Sequence, residues 1–139
     1  MISRVLVPMD GSEMAEQALA YALEVHPDAE ITVLHVVGEP SPMMGDAVGL
    51  ALEEDIEEAA EAVAEDVFDR ARELAAPEGV EITTDVGLGH PARAILNRAG
   101  DYDTVVIGSH GGSLTDLLVM GNVSEKVFRR SPIPVTVVR

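Results

Sequence analysis

The residues best suited to chemistry fall together in one stretch, 104–124, TVVIGSHGGSLTDLLVMGNVS. Its β-branched start, Thr104 to Ile107, reads as a buried strand. Gly108, Gly111 and Gly112 follow, and Gly121 stands just ahead of a segment with helical spacing. Strand, glycine-rich loop and helix start thus occur in that order. Glycine admits close approach of a backbone, and the first turn of a helix presents N–H groups with no intrahelical acceptor. Such a combination suits an anion, most often a phosphate. A tight turn without a ligand would satisfy the same glycines, so the motif by itself leaves both readings open.

Other chemistries find little support. The sequence has no cysteine, which excludes thiolate catalysis and a disulfide framework and fits a cytoplasmic setting. No Ser-His-Asp or Cys-His arrangement and no GxxxxGK[ST] loop occurs, and no residue reads as a positioned general base, so a binding protein is expected rather than an enzyme. His35 lies in an apolar run with no second metal-type residue nearby and reads as a packed core histidine. The formal charge is −16, with 25 Asp and Glu against 9 Lys and Arg. Nucleic acid and anionic membranes are therefore disfavoured partners, since both depend on basic side chains. No run approaches the roughly 20 apolar residues of a membrane helix, and the opening residues show no signal peptide. High acidity with a single lysine, Lys126, is the composition expected of a salt-adapted cytoplasm, where self-repulsion is screened over about 3 Å at 1 M salt.

The elements that must position the loop alternate along the chain. RVLVP (4–8) reads as a first strand, and Asp10-Gly11-Ser12 as a turn. Ser12 then caps a helix whose buried stripe is Ala15, Ala18, Leu19, Ala22 and Leu23, closed by His26-Pro27. ITVLHVV (31–37) is a second strand, near-continuously apolar and so covered on both faces. Residues 38–49 read as a loop, and 50–76 as a long helix with Leu52, Ile56, Ala59, Ala60, Val63, Val67, Ala71 and Leu74 inward. Its ten acids from Glu53 to Glu73 form a solvated face. A third strand is expected at 80–86, at a sheet edge, and a short helix from Pro91 to Ala99, stopped by Gly100. The fourth strand spans 103–107. A last helix buries Val123, Val127 and Phe128, and the fifth strand is PVTVV (134–138).

Five strands alternating with four helices, in one domain over 1–139, point to an α/β fold. The expectation is a single open parallel five-stranded sheet, order 3-2-1-4-5, with helices on both faces. The winding then reverses between strands 1 and 4, and the turn with Asp10 meets the glycine loop in one crevice.

On these residues the chain resembles the universal stress protein family over nearly its whole length. VLVPMDGSE is similar to that family's opening strand and turn, LHVV to its second strand, and GSHGGSLTDLLVMGNVSEKVFRRSPIPVTVVR to its C-terminal signature. Gly108, Gly111 and Gly121 match the Gly-x2-Gly-x9-Gly spacing of the ATP-binding branch. The Ser or Thr that comes next there is Asn122 here, while Ser124 matches a later hydroxyl position. The resemblance implies a Rossmann-like fold of the adenine nucleotide alpha hydrolase kind. It implies that Pro8, Met9 and Asp10 line the adenosine end, that Val36 offers backbone to adenine, and that Ile107 and Gly108 floor the site. Gly111, Gly121, Asn122, Val123 and Ser124 then hold the phosphates. His110 either hydrogen-bonds a phosphate or shapes the turn.

The implied ligand is ATP, with AMP or ADP as alternatives given Asn122, and Mg2+ held through the phosphates rather than by a protein cage. Two functions follow. One is a nucleotide-binding stress-response protein acting through nucleotide-dependent conformation or dimerisation upon an unknown protein partner. The other is a nucleotide-free dimeric interaction module like the family's second branch. Either way the apolar edge of the fifth strand, Val135 to Val138, is expected to pair with a second copy.

Overall fold

The computed structural model describes residues 1–38, 53–110 and 121–139, with the side chains of 53–57 excepted. Strands β1 (Arg4–Pro8), β2 (Glu30–Val37), β3 (Thr83–Leu88), β4 (Thr104–Gly108) and β5 (Val135–Val138) form one sheet, in the order β3-β2-β1-β4-β5. Every pairing is parallel. The helices are α1 (Glu13–Val25), α2 (Glu53–Ala75), α3 (Pro91–Ala99) and α4 (Asn122–Arg130). The expected architecture is the observed one.

Alternation along the strands sends side chains to two cores. Val5, Val7, Ile31, Val33 and Val106 pack beneath α1 and α2 with Ala18, Leu19, Ala64, Phe68 and Ala71. Leu6, Leu34, Val105 and Ile107 face the other way, toward Ala92, Ile95 and Ala99 of α3 and Val127 of α4. A sheet buried on both sides explains why β1, β2 and β4 read as apolar runs.

Several expectations shift in detail. Ala76 belongs to a 3-10 turn, Ala76–Glu78, after α2; positions 39–52, with Leu50 and Leu52, lie outside the described residues. On α2 the buried stripe is Ala60, Ala64, Val67, Phe68, Ala71 and Ala75, while Ala59 and Val63 are exposed. Rotating the helix to bury Phe68 sequesters a whole ring in place of a valine, the larger apolar gain. Phe128 is likewise exposed: α4 turns Val123, Ser124 and Val127 inward, and Phe128 lies one 100° step beyond. β3 begins at Thr83 rather than Val80, because its register with β2 runs from Thr32↔Thr83 to Val37↔Leu88. It is nonetheless the expected edge strand, tied to α3 by Arg98, whose Nε donates to Asp85 at 2.6 Å. Gly100 caps α3 in right-handed helical geometry rather than the left-handed form common at helix ends.

Candidate functional site

β1 pairs with β2 over five residues but with β4 over only two, Val5↔Thr104 and Leu6↔Val105. Beyond Leu6 the central strands part at their C-terminal ends, where the direction of winding reverses. A cavity of about 650 Å3 opens there. Its walls include Pro8, the last residue of β1, with Met9 and Asp10 beyond it, Val36 of β2, and Ile107, Gly108 and His110 at the end of β4. Gly121, Asn122, Val123 and Ser124 at the start of α4 complete them. These are the site residues expected from the sequence, except Gly111, which lies outside the described residues.

Five wall residues are not among the site residues expected from the sequence: Ser12 and Ala15 of the α1 start, Leu34, and Pro91 and Ile95 of α3. Leu34 shares a face with Val36 by the period of two, and Ile95 follows Pro91 by one helical turn. Both signals exist in the sequence, but each also describes ordinary core.

The backbone shows which polar groups point inward. Met9 N–H donates to the Leu34 carbonyl at 2.8 Å, so Leu34 directs its backbone groups toward β1. Two residues on, Val36 directs its N–H and C=O the same way. β1 has ended by then, with Pro8 opposite Leu34, so those groups aim into the space above it. By the same alternation Gly108 faces the crevice, because Ser109 N–H is bound to the Val138 carbonyl of β5 at 2.7 Å. Met9 contributes a closed surface: His35 Nδ1 lies 2.8 Å from its carbonyl, which fixes the buried imidazole as core rather than ligand. Asp10 holds the turn through Oδ1, which accepts Ser12 N–H at 2.9 Å, and its carboxylate remains exposed.

The glycines are explained first by chain packing. A Cβ on Gly108 would stand 2.8 Å from Met14 Cγ and 2.9 Å from the Met14 carbonyl oxygen, so the missing side chain lets α1 settle on β4. A Cβ on Gly121 would approach the Cα of His110 to 3.1 Å, so its absence brings the start of α4 against the end of the β4 loop. One carbonyl then knots the two together. Ser109 O accepts the Gly121 N–H at 2.6 Å and the Ser124 hydroxyl at 2.5 Å. Ser124 is buried and its hydroxyl proton is thereby engaged in holding the helix start. Ser109 Oγ shares a hydrogen bond of 2.8 Å with His110 Nδ1, and His110 Nε2 is buried with no partner among the described residues. His110 thus stands in the cavity wall with Nδ1 tied to the turn.

What remains for an anion is the first turn of α4. Gly121 stands at the N-cap position with no side chain to occupy it, and Asn122, Val123 and Ser124 carry N–H groups with no acceptor inside the helix. The dipole adds about 0.3–1 kcal/mol for a charge there. Arg129 and Arg130 sit in the last turn, the far end of α4. The cavity thus joins an apolar slot edged by backbone hydrogen-bonding groups to a cluster of amides, with one carboxylate between. Among the described residues no group of acids and histidines could hold a metal ion.

The universal stress protein family model matches residues 1–139. The chain belongs to this family. A universal stress protein of Bacillus subtilis, YxiE, is 34% identical over the full length of both chains. The structure of MJ0577, a universal stress protein of Methanocaldococcus jannaschii, superposes with a TM-score of 0.81 at 27% identity, covering 99% of this chain and 96% of that one. An Arabidopsis thaliana family protein solved with AMP bound has a TM-score of 0.67 at 17% identity, covering 98% and 90%. That last likeness establishes the fold alone. Among the described residues no helix is long and apolar enough to cross a membrane.

Proposed function

We propose that this universal stress protein binds an adenine nucleotide in the cavity between β1 and β4 and acts as a stress-response regulator through nucleotide-dependent conformation or dimerisation. The observation that carries the reading is the pairing of the inward backbone of Val36 with the first turn of α4, whose amides have no acceptor inside the helix, across one cavity of about 650 Å3. Adenine fits an apolar slot with a few backbone partners, a ribose diol suits the Asp10 carboxylate, and a phosphate suits the amides of Asn122 to Ser124. The Arabidopsis family protein solved with AMP bound is in keeping with an adenine-nucleotide ligand. Binding rather than turnover is the expected activity, and Mg2+, where present, is held through the phosphates. A cytoplasmic setting belongs to the same proposal.

The test is equilibrium binding of adenosine, adenine nucleotides and guanine nucleotides to purified protein. Adenine forms should bind at least about tenfold more tightly than guanine forms, roughly 1.4 kcal/mol. No binding of any of them would favour the second reading, a nucleotide-free interaction module.

Dimerisation is proposed through β5, whose outer edge is exposed to a partner strand at the end of the sheet. Because Pro134 and Val138 direct their carbonyls to β4, the outward backbone groups of β5 are those of Val135 and Val137. Val137→Pro removes a donor from that outer edge and should give monomers in sedimentation experiments. A dimer that persists places the interface elsewhere.

A further inference from the structure

The cavity is short of positive charge in a way that bears on which nucleotide it takes. Asp10 is its one acidic wall residue, and no lysine or arginine is among the described residues that line it. Positions 39–52 and 111–120 contain no lysine or arginine either. Elsewhere Arg70, Arg72, Arg98 and Arg129 are paired with acids. Lys126 is exposed, one turn along α4 from Asn122 and outside the cavity wall. The whole chain carries −16. Gly121 N–H and the Ser124 hydroxyl are already bound to Ser109, which leaves, among the described residues, the three amides of Asn122, Val123 and Ser124 at the phosphate end. Three convergent amides match the oxygens of one phosphate. Each further phosphate adds negative charge that no lysine or arginine of the described wall neutralises.

We infer that the site selects adenine nucleotides with a single phosphate over triphosphates, because the described part of its wall offers three backbone amides of α4 and no lysine or arginine, with Asp10 its one acidic residue. The inference rests on the adenine-nucleotide reading and narrows its ligand. The preference is electrostatic, so it weakens as the screening length falls from about 10 Å at 0.1 M salt to about 3 Å at 1 M. Mg2+ on the phosphates weakens it in the same direction.

Titration calorimetry with adenosine, AMP and ATP, at about 0.1 M and about 1 M KCl and without divalent ions, tests it. AMP should bind at least about tenfold more tightly than ATP at the lower salt, and the gap should shrink several-fold at the higher. Asn122→Lys, which places a cation at the amides, should shrink the gap at low salt. ATP binding as tightly as AMP at low salt overturns the inference, whether or not Lys126→Gln reverses it. So does a gap that ignores salt. Either result leaves the adenine-nucleotide reading standing, whereas failure of all three ligands to bind removes both.

Discussion

The two ends of the β1–β4 seam are built from opposite materials. At the N-terminal end, Asp103 accepts N–H groups from both Ser3 and Arg4, at 2.8 and 2.9 Å. Arg4 in turn reaches the Asp101 carbonyl at 2.7 Å and lies over the Tyr102 ring at 4.8 Å from its centroid. A carboxylate thus pins two strands together, and those backbone hydrogen bonds hold its pKa below the ordinary range. At the C-terminal end the same strands part, and the groups presented are backbone amides and carbonyls with few charges. One end is closed by a side chain; the other is left to the main chain where a ligand is proposed. Parallel strands always bring their C-terminal ends together, so a fold of this kind separates fastening from binding along the strand axis.

Three substitutions probe that contrast. The largest effect should come at the open end from Gly108→Val, whose branched side chain must displace the Met14 backbone. A loss of about 3 kcal/mol, at the upper end for overpacking, is expected in urea unfolding. Unchanged stability would mean that the glycine serves only a ligand.

Ser124→Ala comes next. Removing a buried donor to the Ser109 carbonyl should cost about 1 kcal/mol of folding stability. If stability holds while nucleotide affinity falls, the hydroxyl belongs to the ligand and not to the knot.

The smallest effect is expected from Asp103→Asn at the closed end. A carboxylate with a depressed pKa in the folded state contributes stability above its unfolded value, about 3.9, and loses it as pH falls through the folded value. The variant should therefore be slightly less stable than the parent at neutral pH and converge with it in acid, with nucleotide affinity unchanged. An equal deficit at every pH would show that the carboxylate's charge plays no part.

Much of the molecule is legible before any coordinates. Proline, glycine and capping residues such as Ser12 and Pro91 punctuate apolar runs of distinct period, and alternation then compels a parallel sheet whose reversal brings Asp10 beside the glycine loop. What the residues do once there is less legible. Nothing local reveals that Gly108 is a glycine because Met14 crosses it, since Met14 arrives from 94 positions away. Ser124 matches a phosphate-binding hydroxyl by spacing, but its partner is a carbonyl 15 residues upstream. Leu34 and Ile95 look like core because they are core-type residues; only the parting of β1 and β4 turns them into walls. Phe128, expected inward, lies exposed, and Phe68, not among the residues expected inward, is buried, because helix rotation is decided by the surface opposite.

The position of α4 has one more consequence. Its nine residues give a rod about 13 Å long, with the first turn in the cavity wall and Phe128 bare on the outside. A rod that tilts to admit a guest at Asn122 must sweep that ring sideways across the molecular surface. Were the proposed nucleotide to tilt α4 in this way, Phe128 would report an internal event on the outside, legible to a neighbour that never sees the guest.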